Sequence, residues 1–175
     1  FPWMGYLFDF QHEYLPDFFS KEEIDLRRKT MKEILFKCKV VLTNSKKTKK
    51  DAVKFYGSFP AKIYTIPYSP CIDSDLVKFN EDIFEKFKLK KDYFIICNQF
   101  WRHKNHETAI KAFYQYVEKN GRCDLVLTGN TADQKFPKHF NDLKNLINAL
   151  NLNDRVKILG LVEKKAQIAL VKNAR

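Results

Sequence analysis

A dense group of titratable and cationic side chains lies in the middle of the chain, at Arg102, His103, Lys104 and His106. It directly follows the apolar run Tyr93–Cys97 and precedes a helical pattern over residues 107–117. The backbone N–H groups and the dipole of a helix N-terminus favour an anion, and fixed cations strengthen that preference through charge-assisted hydrogen bonds. These residue types at this spacing therefore predict a binding site for a phosphate or a diphosphate.

A second candidate pair, Thr128 and Gly129, stands at the end of the later apolar run Asp124–Thr128. Open α/β sheets bind ligands at the carboxyl ends of their strands. Gly129 has no side chain, so a ligand could come close to the backbone there. A plain turn is the alternative interpretation of the same two residues.

A third candidate pair, Asp9 and His12, lies in a loop after the apolar residues 6–8. In the structural interpretation, Asp9 ends a strand and His12 bonds to the backbone. In the functional interpretation, both side chains face a substrate, since histidine titrates near neutral pH and carboxylates orient such groups. The sequence leaves both interpretations open.

Two patterns imitate metal sites but predict none. His103 and His106 could join His12, but a zinc site needs three or four converging ligands, and no cysteine or acidic cluster joins them. His106 is better interpreted as capping or packing at a helix start. Asp73 and Asp75 imitate a paired-aspartate metal motif, although an N-cap for a short helix explains them better.

The elements that position these residues alternate between strands and helices. Short apolar runs predict strands at Val40–Thr43, 62–66, Tyr93–Cys97, Asp124–Thr128 and 155–159. Helical patterns cover 20–39, Lys46–Tyr56, 105–119, 138–150 and 164–174, the first opened by a capping box at Ser20 and Glu23. Such alternation predicts an α/β protein whose parallel sheets are covered on both faces.

The alternation breaks once, so two incomplete Rossmann-like units are expected. Residues 71–90 contain no clear strand and follow two prolines, Pro67 and Pro70. We therefore expect one α/β unit at 1–70, a connector at 71–90 and a second unit at 91–175.

Composition narrows the class of partner. The 175 residues carry a formal net charge of +11, which suits nucleic acid, anionic membranes or phosphorylated substrates. No RNA-binding signature, zinc finger or basic heptad array is present, so specific nucleic-acid binding is not expected. The four cysteines show no paired spacing and indicate a reduced, intracellular protein. Residues 18–35 could form a membrane-surface helix, but a helix packed on a sheet has the same spacing.

Four blocks of sequence carry a family resemblance. They are residues 9–19, residues 41–45, the segment Asn98-Gln-Phe-Trp-Arg-His-Lys-Asn-His106, and residues 127–133 with 158–162. In this order they resemble glycosyltransferase family 4, with its two-domain GT-B architecture, and more narrowly the bacterial group 1 transferases. The resemblance covers nearly the whole chain, and the first and third blocks are the most specific.

The resemblance implies retaining transfer of a sugar from a nucleotide-diphosphate donor, without a metal or other cofactor. It places Lys104 at the family's diphosphate-binding lysine, with Asn98 beside the same site. The family's arginine five residues earlier is Gln99 here, so Arg102 is the candidate for the missing charge. Gly160 and Val162, with Thr128 and Gly129, fall where the family contacts nucleotide and sugar.

The resemblance also implies an acceptor side and missing parts. Asp9 and His12 would face an acceptor hydroxyl of a glycan, a lipid-linked sugar or a small molecule. The family's Glu-x7-Glu motif is expected beyond Arg175 and its glycine-rich loop before Phe1, so residues 1–175 should be inactive alone. A cytoplasmic enzyme with peripheral contact at the inner membrane face is expected. The rivals are a non-catalytic module binding RNA or another polyanion, and a GT-B epimerase or phosphorylase.

Overall fold

The computed structural model describes residues 3–69, 82–90 and 92–175. The chain divides into two compact units, Phe1–Cys71 and Ile72–Arg175, called unit 1 and unit 2 below. Most of the predicted connector, including Asp73 and Asp75, lies outside the described residues.

Unit 1 is a three-stranded parallel sheet with helices beside it. Its strands are β1 (Met4–Leu7), β2 (Val40–Thr43) and β3 (Lys62–Thr65), in that order across the sheet. Its helices are α1 (Gln11–Tyr14), α2 (Lys21–Lys37) and α3 (Lys46–Tyr56), with a 3-10 turn at Pro16–Phe18. Val40 pairs with Met4 on one side and Lys62 on the other, so the three strands start level.

Local sequence explains the helices of unit 1. The predicted capping box is present: Ser20 Oγ accepts from the Glu23 N–H at 3.2 Å, and Glu23 accepts from the Ser20 N–H at 2.8 Å. Met31 and Leu35 of α2 are buried in the core with Val41 of the sheet. This part of α2 is therefore a core helix, as the packing interpretation predicted, and not a membrane-surface face.

Unit 2 is a second three-stranded parallel sheet. Its strands are β4 (Tyr93–Cys97), β5 (Asp124–Thr128) and β6 (Val156–Gly160), in that order. Its helices are α4 (Ile83–Lys86), α5 (His106–Glu118), α6 (His139–Ala149) and α7 (Lys164–Lys172), with a 3-10 turn at Arg102–Lys104. The pairing of β5 with β6 shifts register at Leu127 and Thr128, immediately before the carboxyl edge.

Both faces of the second sheet are covered. Leu125 and Leu127 point into a core shared with α5 and α6, while Val126 between them packs with Leu170 of α7 and Ile83 of α4. Alternate side chains of β5 thus enter different cores, which is why the strand reads as a continuous apolar run.

A partly buried ion pair fixes the amino end of this sheet. Arg155, just before β6, donates to the Asp124 carboxylate at 2.9 Å and to the carbonyls of Gly121 and Cys123 at 2.9 and 2.6 Å. Asp124 is buried and opens β5. The charged network therefore ties β5 to the start of β6 at the end of the sheet opposite the carboxyl edge.

The predicted architecture is confirmed. All five predicted strands form, each within one residue of its expected bounds, and they lie in two separate parallel sheets rather than one. The strand β1 was not among the five predicted strands, because its four residues include Gly5 and lack a continuous run of β-branched side chains. The structural interpretation of Asp9 did place the end of a strand at this point. The predicted helices form within two residues of their bounds.

Candidate functional site

Three loops meet at the carboxyl edge of the sheet in unit 2, and the backbone joins them. The Asn98 N–H donates to the Thr128 carbonyl at 3.0 Å, and the Gly129 N–H donates to the Gly160 carbonyl at 2.8 Å. The Phe100 N–H donates to the Asn130 carbonyl at 2.9 Å. These bonds bring together four of the residues that the sequence predicted for the donor site: Asn98, Thr128, Gly129 and Gly160.

The position of Gly129 requires a glycine because of a backbone contact within the protein. Its φ is +145°, and an added Cβ would lie 1.9 Å from the carbonyl oxygen of Asn98. The backbone that lies close to Gly129 is therefore that of the loop after β4. Gly160 differs, since its φ is +67° and nothing lies within 4 Å of the position of a Cβ.

The side chains beside Gly129 differ in what they contact. Gln99, at the position where the resemblance implies an arginine, accepts from the Asn130 N–H at 3.0 Å through its side-chain oxygen. Thr128 is buried, and its hydroxyl has no hydrogen-bond partner among the described residues. Val162 is half-buried and packs with the core that contains Leu170.

The predicted cationic cluster forms an ordered turn. Arg102, His103 and Lys104 make one turn of 3-10 helix, closed by the Lys104 N–H donating to the Trp101 carbonyl at 2.8 Å. Asn105 follows with φ +56°, a left-handed conformation that asparagine tolerates, and α5 starts immediately after it. The turn therefore presents its cations at the start of a 13-residue helix.

The first turn of α5 leaves backbone donors open. No side chain among the described residues caps this helix, and the Asn105 side-chain oxygen instead accepts from the Thr108 hydroxyl at 2.9 Å. Uncapped N–H groups at a helix start carry the positive end of the helix dipole. A bound anion could therefore satisfy them.

Lys104 and Arg102 differ in what their side chains contact. Lys104 is exposed, and its ammonium forms no ion pair or hydrogen bond with any described residue. The Arg102 guanidinium lies 4.8 Å from the centre of the Phe136 ring, which is stacking geometry for a cation on an aromatic face. Lys104 is thus the better placed of the two for a ligand phosphate, and Arg102 is partly held by the protein.

Asp133 holds the turn in place, a role that the sequence did not predict. One carboxylate oxygen accepts from the Arg102 N–H at 3.0 Å, and the other accepts from the N–H groups of Lys135 and Phe136 at 3.0 and 3.2 Å. Burial raises its pKa, but these three backbone donors outweigh burial and hold the pKa below its usual value. The sequence signal was an aspartate in the loop after β5, a common place for such backbone bonds.

His106 packs rather than faces a ligand. Its ring is stacked on Phe100 at 4.6 Å between centroids, with 10° between planes, and it is 1% exposed. Burial, reinforced by the charges of His139 and Lys104, lowers its pKa. Neither ring nitrogen has a hydrogen-bond partner in the described part of the chain. The packing interpretation of His106 is confirmed.

The candidates in unit 1 have different surroundings from each other. Asp9 is exposed, accepts from the Gln11 N–H at 3.1 Å and lies 3.9 Å from Arg27. His12 is 0% exposed and packs against Phe10 and Phe19. Burial lowers the pKa of His12 more than the nearby Glu13 carboxylate, 3.4 Å away, raises it. The backbone hydrogen bond expected for His12 is absent among the described residues.

The described residues contain neither a metal-binding cluster nor a membrane-spanning helix. No group of three or more His, Cys, Asp or Glu side chains is placed to hold a metal ion within residues 3–69, 82–90 and 92–175. Among the same residues, no helix combines the length and apolar character that crossing a bilayer demands.

Comparison with known proteins assigns the family. The family of glycosyl transferases group 1 matches residues 78–175. A GDP-Man:Man(3)GlcNAc(2)-PP-Dol alpha-1,2-mannosyltransferase of Neurospora crassa is 26% identical, over 67% of this chain and 24% of its own length. The chain therefore spans about a quarter of that relative.

Solved structures share the fold. Sucrose-phosphate synthase from Thermosynechococcus elongatus aligns with a TM-score of 0.74 at 20% identity, over 99% of this chain and 43% of its own. Alr3699/HepE of Anabaena, in complex with UDP-glucose, aligns with a TM-score of 0.69 at 19% identity, over 95% of this chain and 44% of its own. The family match covers more than half of the sequence and contains the whole carboxyl edge of unit 2, so this chain belongs to the group 1 glycosyl transferases.

Proposed function

We propose that the intact protein transfers a sugar, with retention, from a nucleotide-diphosphate donor to an acceptor hydroxyl, as a member of glycosyltransferase family 4. One observation carries the proposal. The ammonium of Lys104, which pairs with no described residue, stands on an ordered turn beside the start of α5, which no described side chain caps. The family match includes this turn.

Charge development explains why a lysine is useful there. During transfer, the bond between the anomeric carbon and the donor phosphate oxygen breaks, and the acceptor oxygen bonds to that carbon and gives its proton to the leaving phosphate. The leaving nucleotide diphosphate gains negative charge as the bond breaks. Lys104, the N–H groups of α5 and, in a supporting role, Arg102 stabilise that charge without a metal ion.

The remaining predicted contacts complete this hypothesis. Thr128, Gly129, Gly160 and Val162 line the edge at which the nucleotide and sugar would bind, with Asn98 and Gln99 shaping the loop beside it. Asp9 and His12 belong to the acceptor side. The names of the relatives mention both GDP-mannose and UDP-glucose, which supports a nucleotide-sugar donor without selecting the base.

The acceptor and location follow from the same hypothesis. A glycan, a lipid-linked sugar or a small molecule supplies the hydroxyl, and the enzyme works in the cytoplasm. Residues 1–175 alone should transfer no sugar, because the donor-sugar motif expected beyond Arg175 is needed. Turnover of a nucleotide sugar by residues 1–175 would contradict this expectation.

Substitution of Lys104 in the full-length enzyme tests the proposal. Because the diphosphate charge grows in the transition state, Lys104→Ala should lower kcat/KM on the order of a hundredfold or more. Lys119→Ala, at the opposite end of α5, is the matched control and should leave kcat/KM unchanged. The measurement is initial-rate kinetics with the nucleotide sugar that the wild-type enzyme turns over.

The outcomes separate the hypotheses. Near-normal turnover of Lys104→Ala with inactive Arg102→Ala would keep the phosphate site but reassign its main cation. Normal turnover of both variants would overturn the phosphate assignment. An epimerised sugar or a sugar phosphate as product would replace transfer by the epimerase or phosphorylase alternative. Salt-sensitive RNA binding without turnover would favour the polyanion module.

A further inference from the structure

His106 is a buried histidine beside the candidate site, and the proposed reaction gives it no role. It is the first residue of α5 and follows Lys104 by two positions. Its ring stacks on Phe100, and within the described ranges neither ring nitrogen has a hydrogen-bond partner. Such an imidazole can accept a proton without first breaking a hydrogen bond to a described residue.

A second histidine, His139, lies near His106 at the start of α6. The Phe100 ring, which stacks on His106, also meets the Phe140 ring edge-on at 5.2 Å between centroids. Phe140 directly follows His139 in the chain. Burial lowers the pKa of His106, and the charges of His139 and Lys104 lower it further. His106 therefore responds to charge on α6 and to charge on the turn.

Asp133 connects the turn to the start of α6. Its carboxylate accepts from the Arg102 N–H at 3.0 Å and from the Phe136 N–H at 3.2 Å. The Phe136 carbonyl in turn accepts from the His139 N–H at 2.9 Å. The turn and the two histidines thus belong to one packed and hydrogen-bonded group, so a change of charge at the turn acts on His106 at short range.

The cations around the two histidines oppose their protonation. The start of α5 also carries the positive end of the helix dipole, which opposes a positive charge on its first residue. The basic or titratable neighbours on the adjacent segments are Arg102, His103 and Lys104 on the turn, Lys135 in the loop after β5, and Lys138 and Lys144 at α6.

The acids on the same segments are engaged or exposed. Glu107 of α5 pairs with Lys111 at 2.6 Å, and Asp142 of α6 is exposed. Asp133 accepts from three backbone N–H groups. Because the nearby charge is mainly positive and burial disfavours the charged form, His106 is mainly neutral near pH 7 in the free protein.

We propose that His106 takes up a proton when a diphosphate binds at the start of α5, and that it acts as a positioning residue which tightens donor binding. The inference rests on the proposed function, because it concerns the same site. The charges of a diphosphate favour the imidazolium, and the imidazolium favours the diphosphate by the same factor, since coupling between two sites is reciprocal. The proton comes from water and returns to it when the diphosphate leaves.

The direction of the pH dependence follows from this coupling. The bound anion raises the pKa of His106 above its value in the free protein. Affinity for the diphosphate therefore rises as the pH falls through the pKa of His106 in the complex, and it levels off below the pKa in the free protein.

Calorimetric titration of the full-length enzyme with inorganic pyrophosphate tests the inference. At about pH 6.5, buffers of different ionisation enthalpy count the protons taken up on binding. The wild-type enzyme should take up more protons than His106→Phe, which keeps a ring on Phe100, and more than His106→Gln. Between about pH 7.5 and 5.5, wild-type affinity should rise about tenfold more than that of either variant. Protonation of pyrophosphate is common to all variants, so the difference belongs to the protein.

Two further variants and a direct measurement sharpen the test. His103→Gln is the matched control, because it removes a half-buried histidine from the adjacent turn and should keep the proton uptake. His139→Gln should keep the uptake but shift it to higher pH, because it removes a charge that lowers the pKa of His106. An NMR titration of the His106 ring in the wild-type enzyme, with and without pyrophosphate, gives the pKa change independently of how any variant folds.

The outcomes distinguish this inference from the proposed function. Pyrophosphate binding with an unchanged pKa of His106, or with equal proton uptake by the wild type and His106→Phe, would overturn the inference and keep the phosphate site. Proton uptake that only His103→Gln abolishes would assign the proton to His103 instead. If pyrophosphate did not bind, or if Lys104→Ala bound it as well as the wild type, the phosphate site itself would fall, and this inference with it.

Discussion

The two units place a helix after a strand in the same way but complete its first turn differently. In unit 1, Ser45 follows β2, and its hydroxyl accepts from the Thr48 N–H at 3.0 Å, so the chain caps α3 itself. In unit 2, no described side chain caps α5, and Asn105 turns its oxygen to Thr108 instead. A helix start that is already capped has little left for a ligand, whereas an uncapped one still needs an anion or water.

The charged side chains at the two sheets show the same contrast. In unit 1, Glu13 pairs with Arg28 at 2.7 Å, and Asp51 pairs with Lys47. In unit 2, both carboxylate oxygens of Asp133 accept from backbone N–H groups, and Lys104 stays unpaired within the described residues. Glu13 and Asp51 thus neutralise cations in unit 1, whereas Asp133 in unit 2 holds the backbone of the turn that carries Lys104.

The largest expected effect is a loss of stability in unit 2, where Gly129 lies against the loop after β4. Gly129→Ala places a methyl group against the Asn98 carbonyl oxygen and strains a positive φ, so we expect a loss of about 4 kcal/mol in unfolding free energy. Urea denaturation measures the loss, and hydrogen exchange locates it in β4 and β5.

Two glycines with open surroundings serve as controls for that change. Gly57 in unit 1 and Gly160 in unit 2 have φ values of +66° and +67°, with nothing within 4 Å of an added Cβ. Substitution by alanine should cost about 1–3 kcal/mol at each, from backbone strain alone. If Gly129→Ala loses no more unfolding free energy than Gly57→Ala and Gly160→Ala, the close contact between Gly129 and the Asn98 carbonyl is contradicted.

The next prediction compares Asp133 of unit 2 with Asp51 of unit 1. Asp133→Ala and Asp51→Ala each leave former partners unsatisfied, so each should lower the unfolding free energy by about 1–3 kcal/mol. In the full-length enzyme, only Asp133→Ala should also raise KM for the nucleotide sugar, because only Asp133 positions the turn that carries Lys104. If both variants changed KM for the nucleotide sugar equally, Asp133 would have no special role in positioning the turn.

Acid should destabilise both units through their buried histidines. Burial lowers the pKa of His12 and His106 below the unfolded value of about 6.5, so the unfolded chain binds the proton more readily. Their contribution to stability is therefore complete above about pH 6.5 and is lost as the pH falls below it, by at most about 1.4 kcal/mol per pH unit for each histidine.

Phenylalanine substitutions assign this acid sensitivity to each unit. His12→Phe should flatten the pH dependence of hydrogen exchange in unit 1 alone, and His106→Phe should do so in unit 2 alone. Stability measured by urea denaturation at several pH values gives the total slope. A slope that neither substitution changes would show that these rings are not the groups that titrate.

The smallest expected effect is that of metal removal. If Lys104 and the start of α5 stabilise the diphosphate, EDTA should leave the turnover of the full-length enzyme nearly unchanged. Loss of activity that Mn²⁺ or Mg²⁺ restores would transfer that role to a metal ion. Asp73 and Asp75, outside the described residues, would then be the first residues to substitute.

The sequence predicted those parts of the fold that depend on local patterns. Continuous apolar runs identified β4, β5 and β6, because strands covered on both faces need no polar alternation. The capping residues Ser20 and Glu23 located the start of α2. In contrast, β1 is four residues long and includes a buried glycine whose added Cβ would lie 2.4 Å from the Ile34 side chain. Only its neighbours in the sheet make that segment a strand.

The candidate site was predictable in location but not in detail. The strand and helix patterns placed Lys104 between β4 and the start of α5, and the structure has it there. Its role in a binding site stays a prediction. The bonds from Gln99 to Asn130 and from Arg102 to Asp133 join residues 31 positions apart, so no local pattern encodes them. The packing of His106 on Phe100 likewise depends on how the turn folds back over the core.

The ion pair between Arg155 and Asp124 aligns the strands of the second sheet at the end opposite the candidate site. It sets the alignment of β5 and β6 at their amino ends, far along the strands from the loops that surround Lys104. Loops at the carboxyl edge could therefore change in length or composition while the strands keep their register. In evolutionary terms, a lineage built on this unit could acquire a new donor preference by exchanging loops, with its scaffold inherited intact.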